Sequence, residues 1–231
     1  MEWLSDVELM ALSLSLQVAV SATVIGLPIA VWLAHKLATS NFRGKWLVDL
    51  LVHLPLVVPP VVVGYLLLLL FAPSSLLGGW LDSLGIPLAF HWRGAALAAT
   101  VMAMPLMVRM IRLAFESERP ALIESSALLG LSRRQHFWRI SLPMIKPAVL
   151  GAAVIGFARA MGEFGATITF AANIPGVSQT LPLALYSATS DPAGDALAIR
   201  LLIISLIPAI LAIGFGEWLA QRSRRRAGAA Q

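Results

Sequence analysis

Two charged residues interrupt a long apolar run in the second half of the chain. Arg159 and Glu163 lie within the run from Pro147 to about Ala171, and a spacing of four residues places both side chains on one face of a helix, where they can form an ion pair. Ionisable groups inside a membrane are costly, and they indicate function by default. The pair is expected either to border a polar path and hold its outer gate, or to neutralise itself while fixing helix packing.

Polar residues and prolines in the other apolar runs are further candidates to line or gate such a path. Hydroxyl and amide groups can hydrogen-bond an oxyanion without trapping it, although most Ser and Thr residues in membranes satisfy neighbouring backbone groups instead. The prolines of the stretch from Pro55 to Pro60 lack backbone donors and predict a kink or an unwound turn. A flexing gate and a fixed kink both explain this break. The candidates are Gln17, Pro59, Pro60, Thr167, Thr169 and Thr180.

The remaining reactive residue types do not form a catalytic or metal-binding pattern. The chain has four histidines, scattered over both predicted sides of the membrane, and no cysteine, which removes thiolate metal sites and cysteine nucleophiles. No Ser-His-Asp or paired-carboxylate arrangement is evident, and no G-x-x-x-x-G-K-[ST] phosphate loop is present. The sequence predicts no enzyme active site, bound metal or cofactor. Glu163 leaves open a carrier that couples transport to proton or sodium movement.

Composition predicts that membrane helices position these residues. Of 231 residues, 58% are hydrophobic and 13% charged, against roughly half and a quarter in soluble domains, and the mean hydropathy is +0.83. A helix needs about 20 apolar residues to cross a membrane. The sequence predicts one all-α domain over residues 1–231, with a possible short re-entrant or shallow helix within 180–189. The five predicted spans are residues 9–34, 47–72, 94–113, 147–171 and 198–218.

The distribution of charge predicts the orientation of these spans. All but three of the 17 Lys and Arg lie on one predicted side, and the positive-inside rule makes that side cytoplasmic. The N-terminus is then outside, the C-terminus inside, and the number of spans odd. The net charge of +5 is attributed to the orientation of the spans and to the docking of a partner, not to the binding of nucleic acid. The residues on this side are Lys36, Arg43, Lys45, Arg109, Arg112, Arg119, Arg133, Arg134, Arg139, Lys146, Arg222, Arg224, Arg225 and Arg226.

The loop between the third and fourth predicted spans, residues 116–146, contains clear signals for short helices. Pro120 suits the first position of a helix, and Gly130 suits its end, where a positive φ is needed. Ser132 and Gln135 then form the pattern of a capping box for a second short helix. The loop is therefore expected to contain a helix, a glycine turn and another helix at the membrane surface.

This loop also has the composition of a docking element. Pro143 and Pro147 are expected to stop its second helix before the next span begins. Apolar side chains are expected to form a surface beside the basic residues, and such a surface suits a partner protein. The apolar residues are Leu128, Leu129, Phe137, Trp138 and Ile140.

Residues in this loop resemble the EAA signature of ABC importer permeases, which reads E-A-A, three residues, G, nine residues, I-x-L-P. Serine replaces both alanines, a small-for-small change that suits helix packing. The resemblance implies the type I ABC importer permease fold, a homodimer, and a coupling loop (residues 116–146) that sits in a cleft of a separate cytoplasmic ATPase dimer. The matching residues are Glu124, Ser125, Ser126, Gly130, Ile140, Leu142 and Pro143.

Three further stretches resemble the permeases of molybdate ABC importers. The resemblance implies a multi-pass protein of the bacterial inner membrane, surrounded by lipid, that takes up molybdate delivered by a periplasmic binding protein. It places ATP and Mg on the partner ATPase and implies no nucleic-acid partner. Sulfate and tungstate permeases share the Ala-Arg-x-x-Gly-Glu-aromatic-Gly pattern, so these substrates stay open as alternatives. The stretches are HLPLVVPPVVVGYLLLLL, FHWRGAALAATVMAMPLMVRMIRLA and GFARAMGEFGATITFAANIPGVSQTLPLALY.

Overall fold

The computed structural model describes residues 5–118 and 120–228, without the side chains of residues 120, 123, 127, 213, 217 and 219–228. Arg119 and the side chains of Arg222, Arg224, Arg225 and Arg226, which entered the orientation prediction, lie outside this description. The regular elements of the described residues are all helical. They are α1 (Asp6–Thr39), α2 (Lys45–Val57), α3 (Pro60–Phe71), α4 (Leu76–Ser83), α5 (Trp92–Glu116), α6 (Pro120–Leu128), α7 (Arg133–His136), a π segment (Phe137–Ser141), α8 (Leu142–Met161), α9 (Gly165–Phe170), α10 (Leu181–Ser190) and α11 (Asp195–Gly228).

Several of these helical stretches are long and apolar enough to cross a membrane. Among the described residues there are four, at Asp6–Thr39, Trp92–Glu116, Arg133–Met161 and Asp195–Gly216. A fifth candidate is the pair α3 and α4, which is long enough in total but bends by 66° at its junction. The expected all-α membrane fold is therefore confirmed, with four or five spans.

The second predicted span, 47–72, is divided in two by consecutive prolines. Val58 is extended (φ −75°, ψ 137°) and separates α2 from α3. Pro59 and Pro60 lack the N–H groups that would continue α2, but they fit the cap and first position of α3, where those donors have no partner within the helix. Pro55, at the start of the predicted break, is accommodated inside α2.

The fourth predicted span, 147–171, ends early because α8 stops at Met161. Residues 162–164 separate α8 from the short α9, so Arg159 and Glu163 lie on either side of a helix end rather than within one helix. Gly162 follows the last helical residue, and its N–H still bonds to the carbonyl of Ala158 (3.4 Å). The predicted spans 9–34, 94–113 and 198–218 lie inside α1, α5 and α11, and α10 occupies the region of the predicted short helix.

The prediction that Pro143 and Pro147 stop the second helix of the loop before the next span is wrong. Both lie inside the continuous helical stretch Arg133–Met161. The π segment explains how Pro143 is accommodated, because the N–H of Leu142 bonds to the carbonyl of Phe137, five residues earlier. The wider turn displaces the usual i to i−4 pattern just before Pro143, where a residue without an N–H is then tolerated.

The core forms where α5 packs against α1 and α8. Small side chains build it: Ala30, Ala34 and Ala103 are fully buried beside Met107. In lipid, helices associate mainly by close van der Waals packing, which small residues permit. Gly26 shows how close the approach is, since a Cβ there would lie 2.9 Å from Cε of Met107. These three helices form the frame whose ends carry the candidate site.

Candidate coupling loop and transport path

The coupling loop begins with α6, which ends in a turn around Gly130. Gly130 has a φ of +78°, as its position after the helix requires. The N–H of Leu131 bonds to the carbonyl of Ser126 (3.0 Å) and that of Leu129 to the carbonyl of Ser125 (3.1 Å). The first of these bonds spans the glycine turn, as the long bond of a Schellman motif does, and the second is the last regular bond of the helix. A Cβ at Gly130 would meet no described heavy atom within 4 Å, so glycine is needed for its torsion angle, not for space.

The second helix of the coupling loop begins with the predicted capping box. The N–H of Gln135 donates to Oγ of Ser132 (3.3 Å), and the N–H of Ser132 donates to Oε1 of Gln135 (2.9 Å). Two backbone donors that the helix start would leave unpaired are satisfied in this way. The capping box is therefore confirmed.

The outward face of the coupling loop combines apolar and basic side chains. Leu128 is 89% exposed, Leu129 80% and Trp138 58%. Arg133 and Arg134 are also exposed. Large apolar side chains at this exposure, beside positive charge, are typical of a surface that binds another protein.

Phe137 does not belong to this outward face, which corrects the sequence prediction. Its ring centroid lies 4.7 Å from that of His35 and 6.1 Å from that of Phe115, so it packs against the ends of α1 and α5. Ile140 is half-buried. Within the π segment Phe137 and Ile140, three positions apart, share the inward side, whereas Trp138 and Arg139 are exposed. Phe137 therefore fixes the coupling loop to the helix bundle and does not contribute to its exposed surface.

A polar network that sequence reasoning missed joins distant positions of the coupling loop, starting two residues after the end of α5. Oε1 of Glu118 lies 2.9 Å from Nε2 of His136 and accepts a hydrogen bond from Oγ of Ser141 (3.0 Å). Nδ1 of His136 lies 2.7 Å from Oγ of Ser126. The side chains of Glu118 and His136 are 6% and 13% exposed. The partners are 10 to 23 residues apart in sequence, so no helical spacing could have indicated these contacts.

The second candidate region lies where two helix breaks meet, and it is called the helix-break region below (residues 58–64 and 159–170). Here α3 packs against α9. A Cβ added at Gly165 would lie 2.7 Å from Cβ of Pro60, and one at Gly64 would lie 2.5 Å from the carbonyl oxygen of Ala166. Both distances are too short for a real side chain. The glycines therefore allow the predicted break at Pro59 and Pro60 to contact the second break directly.

Arg159 and Glu163 form the ion pair that their spacing predicted. Nη1 of Arg159 lies 2.6 Å from Oε2 of Glu163, and the side chains are 29% and 2% exposed. The other oxygen of Glu163 accepts a hydrogen bond from the N–H of Ala166 (2.9 Å). Glu163 therefore caps the start of α9 as well as pairing with Arg159, and both of its oxygens are engaged.

The other polar candidates have different surroundings. Thr167 is 1% exposed, and Oγ1 of Thr169 donates to the carbonyl of Gly165 (3.0 Å); both lie in the helix-break region. Gln17 is exposed on α1. Thr180 is buried at the start of α10, and its Oγ1 has no hydrogen-bond partner among the described residues. The structure thus brings Thr167 and Thr169, but not Gln17 or Thr180, together with Glu163.

Two further ion pairs connect distant parts of the chain and were not predicted. Nη2 of Arg200 lies 2.6 Å from Oε2 of Glu8, whose side chain is fully buried, and this pair joins the first turns of α1 and α11. Nη1 of Arg112 lies 2.9 Å from Oδ1 of Asp49, which joins α5 to α2. The first pair is separated by 192 residues and the second by 63.

Comparison with known proteins identifies the family of the chain. Residues 26–225 match the family described as binding-protein-dependent transport system inner membrane component. This range contains the coupling loop and the helix-break region.

The similar proteins include permeases of anion importers. The chain is 47% identical over 226 residues to the molybdenum transport system permease protein ModB of Escherichia coli K12, covering 97% of this chain and 99% of that protein. It is 43% identical to ModB of Haemophilus influenzae, covering 96% and 97%. The sulfate transport system permease protein CysW of Escherichia coli K12 is 32% identical, with 94% of this chain and 75% of CysW covered.

Solved structures confirm the expected type I ABC importer permease fold. A bacterial ABC transporter involved in alginate import superposes with a TM-score of 0.72 at 20% identity, over 96% of this chain and 81% of that one. The methionine ABC transporter MetNI, in an inward-facing conformation, gives 0.69 at 19% identity, over 93% of both chains. At these identities the likeness concerns the fold alone. The family match over residues 26–225 and the extended identity to permeases show that this chain belongs to the binding-protein-dependent transport system inner membrane components.

Proposed function

We propose that this chain is the permease subunit of an ABC importer that takes up molybdate. The observation that carries the proposal is the identity of 47% and 43% to two molybdenum transport permeases over 97% and 96% of the chain. Sulfate is the second candidate substrate, because a sulfate permease is 32% identical over 94% of the chain. Tungstate stays a third possibility on the resemblance of the sequence alone. The family assignment favours an importer of this kind over an ion-coupled carrier that uses Glu163.

The proposed role of the coupling loop is to bind a cytoplasmic ATPase dimer. Leu128, Leu129 and Trp138 supply exposed apolar contact area, and Arg133 and Arg134 surround it with positive charge. Apolar anchors that fill pockets of a partner carry most of the binding energy at such interfaces. ATP and Mg are assigned to that partner, and this chain needs no cofactor of its own.

Two further partners complete the proposed importer. A second copy of this chain would supply the second coupling loop for the ATPase dimer, and α2, which buries none of its residues in the single chain, leaves helix surface for that copy or for lipid. A periplasmic binding protein would deliver the anion. The solved complex of the alginate transporter with its substrate-bound periplasmic protein supports this kind of partner.

The helix-break region is our candidate for the transport path or its gate. Arg159, 29% exposed, offers a guanidinium to a tetrahedral dianion, while Glu163 holds it in place. Pro59 and Pro60, at the facing break, and the hydroxyls of Thr167 and Thr169 border the same place. The packing alternative, in which the pair only fixes the two breaks, is tested by Arg159→Ala: normal transport by a normally assembled complex would exclude the gate.

The proposal is tested by reconstituting the chain with its ATPase and binding protein in liposomes. We expect uptake of labelled molybdate that requires ATP, is inhibited by vanadate and stops without the binding protein. A tenfold excess of sulfate should reduce it little. Uptake of sulfate in preference to molybdate would replace the substrate, and uptake driven by a proton gradient without the ATPase would replace the function.

A further inference from the structure

The inward face of the coupling loop holds the buried polar network of Glu118, His136, Ser126 and Ser141. Its members come from four segments: the residues just after α5, helix α6, helix α7 and the π segment before α8. Ser126 and Ser141 are 4% and 2% exposed. A network of this kind is stronger in a low-dielectric interior than at a surface, and it is costly to leave half satisfied.

Ser126 attaches α6 to the rest of the molecule. Among the α6 side chains that the structure describes, Ser126 is the buried one, whereas Glu124, Ser125 and Leu128 are exposed. Ser126 occupies a position where the family signature has alanine, and the hydroxyl that alanine lacks contacts Nδ1 of His136. The departure from the signature therefore has a structural partner in this chain.

The network lies beside the place where the ends of α5 and α8 pack together. Phe115 of α5 and Ile145 of α8 belong to one buried apolar cluster, and an open pocket of about 190 Å³ next to them is lined by residues that include Ser117, Glu118 and Met144. The hydrogen bonds from Ser141 and His136 to Glu118 connect the residue that lies two positions after α5 to α7 and to the π segment that leads into α8.

We propose that Glu118 and His136 are positioning residues that transmit movement of α6 to α5 and α8. The inference rests on the coupling role proposed above for this loop. When the ATPase displaces Leu128 and Leu129, the network makes α5 and α8 follow. Without it, the displacement is absorbed by rotation about the turn at Gly130. Loss of the network then uncouples ATP hydrolysis from transport without removing either partner.

Substitutions of His136 can test its two contacts one at a time. Both ring nitrogens are used, Nε2 toward Glu118 and Nδ1 toward Ser126. The amide of glutamine reaches the position of Nε2, and that of asparagine reaches the position of Nδ1. His136→Gln therefore keeps the contact to Glu118, and His136→Asn keeps the contact to Ser126.

The experiment measures ATP hydrolysis and molybdate uptake by the same reconstituted complex. For Glu118→Ala and His136→Ala we expect uptake to fall about tenfold, because each variant leaves the remaining buried polar groups of the network without a partner, while ATP hydrolysis stays within about twofold of wild type. His136→Gln and His136→Asn should lie between His136→Ala and wild type. Ser125→Ala is the matched control, because Oγ of Ser125 is exposed and bonds only locally, to the carbonyl of Ala121.

Each outcome decides the inference. An unchanged ratio of ATP hydrolysed to molybdate transported, whether both rates stay normal or fall together, overturns it. A raised ratio in Glu118→Ala and His136→Ala, with partial rescue by glutamine or asparagine at position 136, supports it. If wild type transports another oxyanion instead, the proposed substrate fails, and the ratio is measured with that anion. If Leu129→Asp leaves the ATPase fully coupled, the docking role of the loop fails separately.

Discussion

The coupling loop and the helix-break region both interrupt long membrane helices, but different forces hold them. In the coupling loop, side-chain hydrogen bonds cap the helices and join them to the bundle, as between Ser132 and Gln135. In the helix-break region, backbone lies directly against backbone at Gly64, and one ion pair spans the break. Gly130 and Gly64 show the contrast, since the first is required for its torsion angle and the second for space.

This difference indicates how easily each region can be displaced. Hydrogen bonds at a partly exposed loop exchange with water at a net cost of roughly 1 kcal/mol each, so such a loop can be displaced and restored. Backbone contact at van der Waals distance has no alternative arrangement nearby. We infer that the coupling loop can be displaced together with the helix ends to which its buried network connects it, whereas the helix-break region keeps α3 and α9 at a fixed separation.

The largest effect is expected from Gly64→Ala. The new Cβ would lie 2.5 Å from the carbonyl oxygen of Ala166, and overpacking of this kind costs roughly 1–3 kcal/mol or more. We expect the melting temperature of the purified protein to fall by about 5 °C or more, with transport falling in parallel. Gly214→Ala is the control, because a Cβ there meets no described atom within 4 Å. Normal melting of Gly64→Ala would show that α3 and α9 are free to separate.

A smaller loss is expected when the ion pair of the helix-break region is broken. Glu163→Ala removes both the partner of Arg159 and the cap of α9, whereas Glu163→Gln keeps an acceptor for the N–H of Ala166. Breaking a buried pair costs about 3–5 kcal/mol, and the partial exposure of Arg159 reduces this to about 2 kcal/mol. Chemical denaturation should rank wild type above Glu163→Gln and that above Glu163→Ala. Equal stability of the two variants would assign the whole effect to the ion pair.

The third prediction tests whether torsional strain in the coupling loop affects function. Gly130→Val forces a branched residue to a φ of +78°, at a cost of about 1–2 kcal/mol, and should abolish most ATP-dependent uptake. Gly44→Val is the matched control, because Gly44 has a φ of +87° and equally open surroundings among the described residues. We expect both variants to lose similar stability but only Gly130→Val to lose transport. Equal loss of transport would mean that strain anywhere in the chain is sufficient.

Features that depend on short spacings were predictable from the sequence. The turn at Gly130, the capping box at Ser132 and the pairing of Arg159 with Glu163 involve residues three or four positions apart or a single torsion angle. Local backbone geometry fixes such contacts, and the pairing of Arg159 with Glu163 persists across the end of α8 because the N–H of Gly162 still bonds to the carbonyl of Ala158. The apolar runs likewise predicted the membrane helices, since length and hydropathy alone determine whether a helix can span.

Features that depend on the meeting of distant segments were not predictable. Glu118 and His136, or Glu8 and Arg200, become neighbours only when the bundle has formed, and nothing local distinguishes them from exposed charges. The prediction that Pro143 stops the second helix of the coupling loop was wrong for another reason. Proline stops a regular α-helix, but the preceding π segment changes the hydrogen-bond pattern that the proline would have broken. A single sequence does not indicate where such a segment forms.

The smallest effect, from Ser132→Ala, tests whether the coupling loop depends on its own hydrogen bonds. Loss of a cap costs about 1 kcal/mol, and glycine at the same position costs only a few tenths. Amide hydrogen exchange of residues 133–136 should therefore rise about fivefold in Ser132→Ala and less in Ser132→Gly, while uptake falls by less than about half.

Ser75→Ala is the matched control for this variant, because Oγ of Ser75 caps α4 by accepting from the N–H of Gly78 (3.0 Å) outside the coupling loop. It should lose similar local stability without any loss of uptake. If the two variants affect uptake equally, the capped helix of the coupling loop has no special role, and the contrast between the two regions concerns stability alone. If only Ser132→Ala affects it, a loss of about 1 kcal/mol matters because it falls on the element that binds the ATPase.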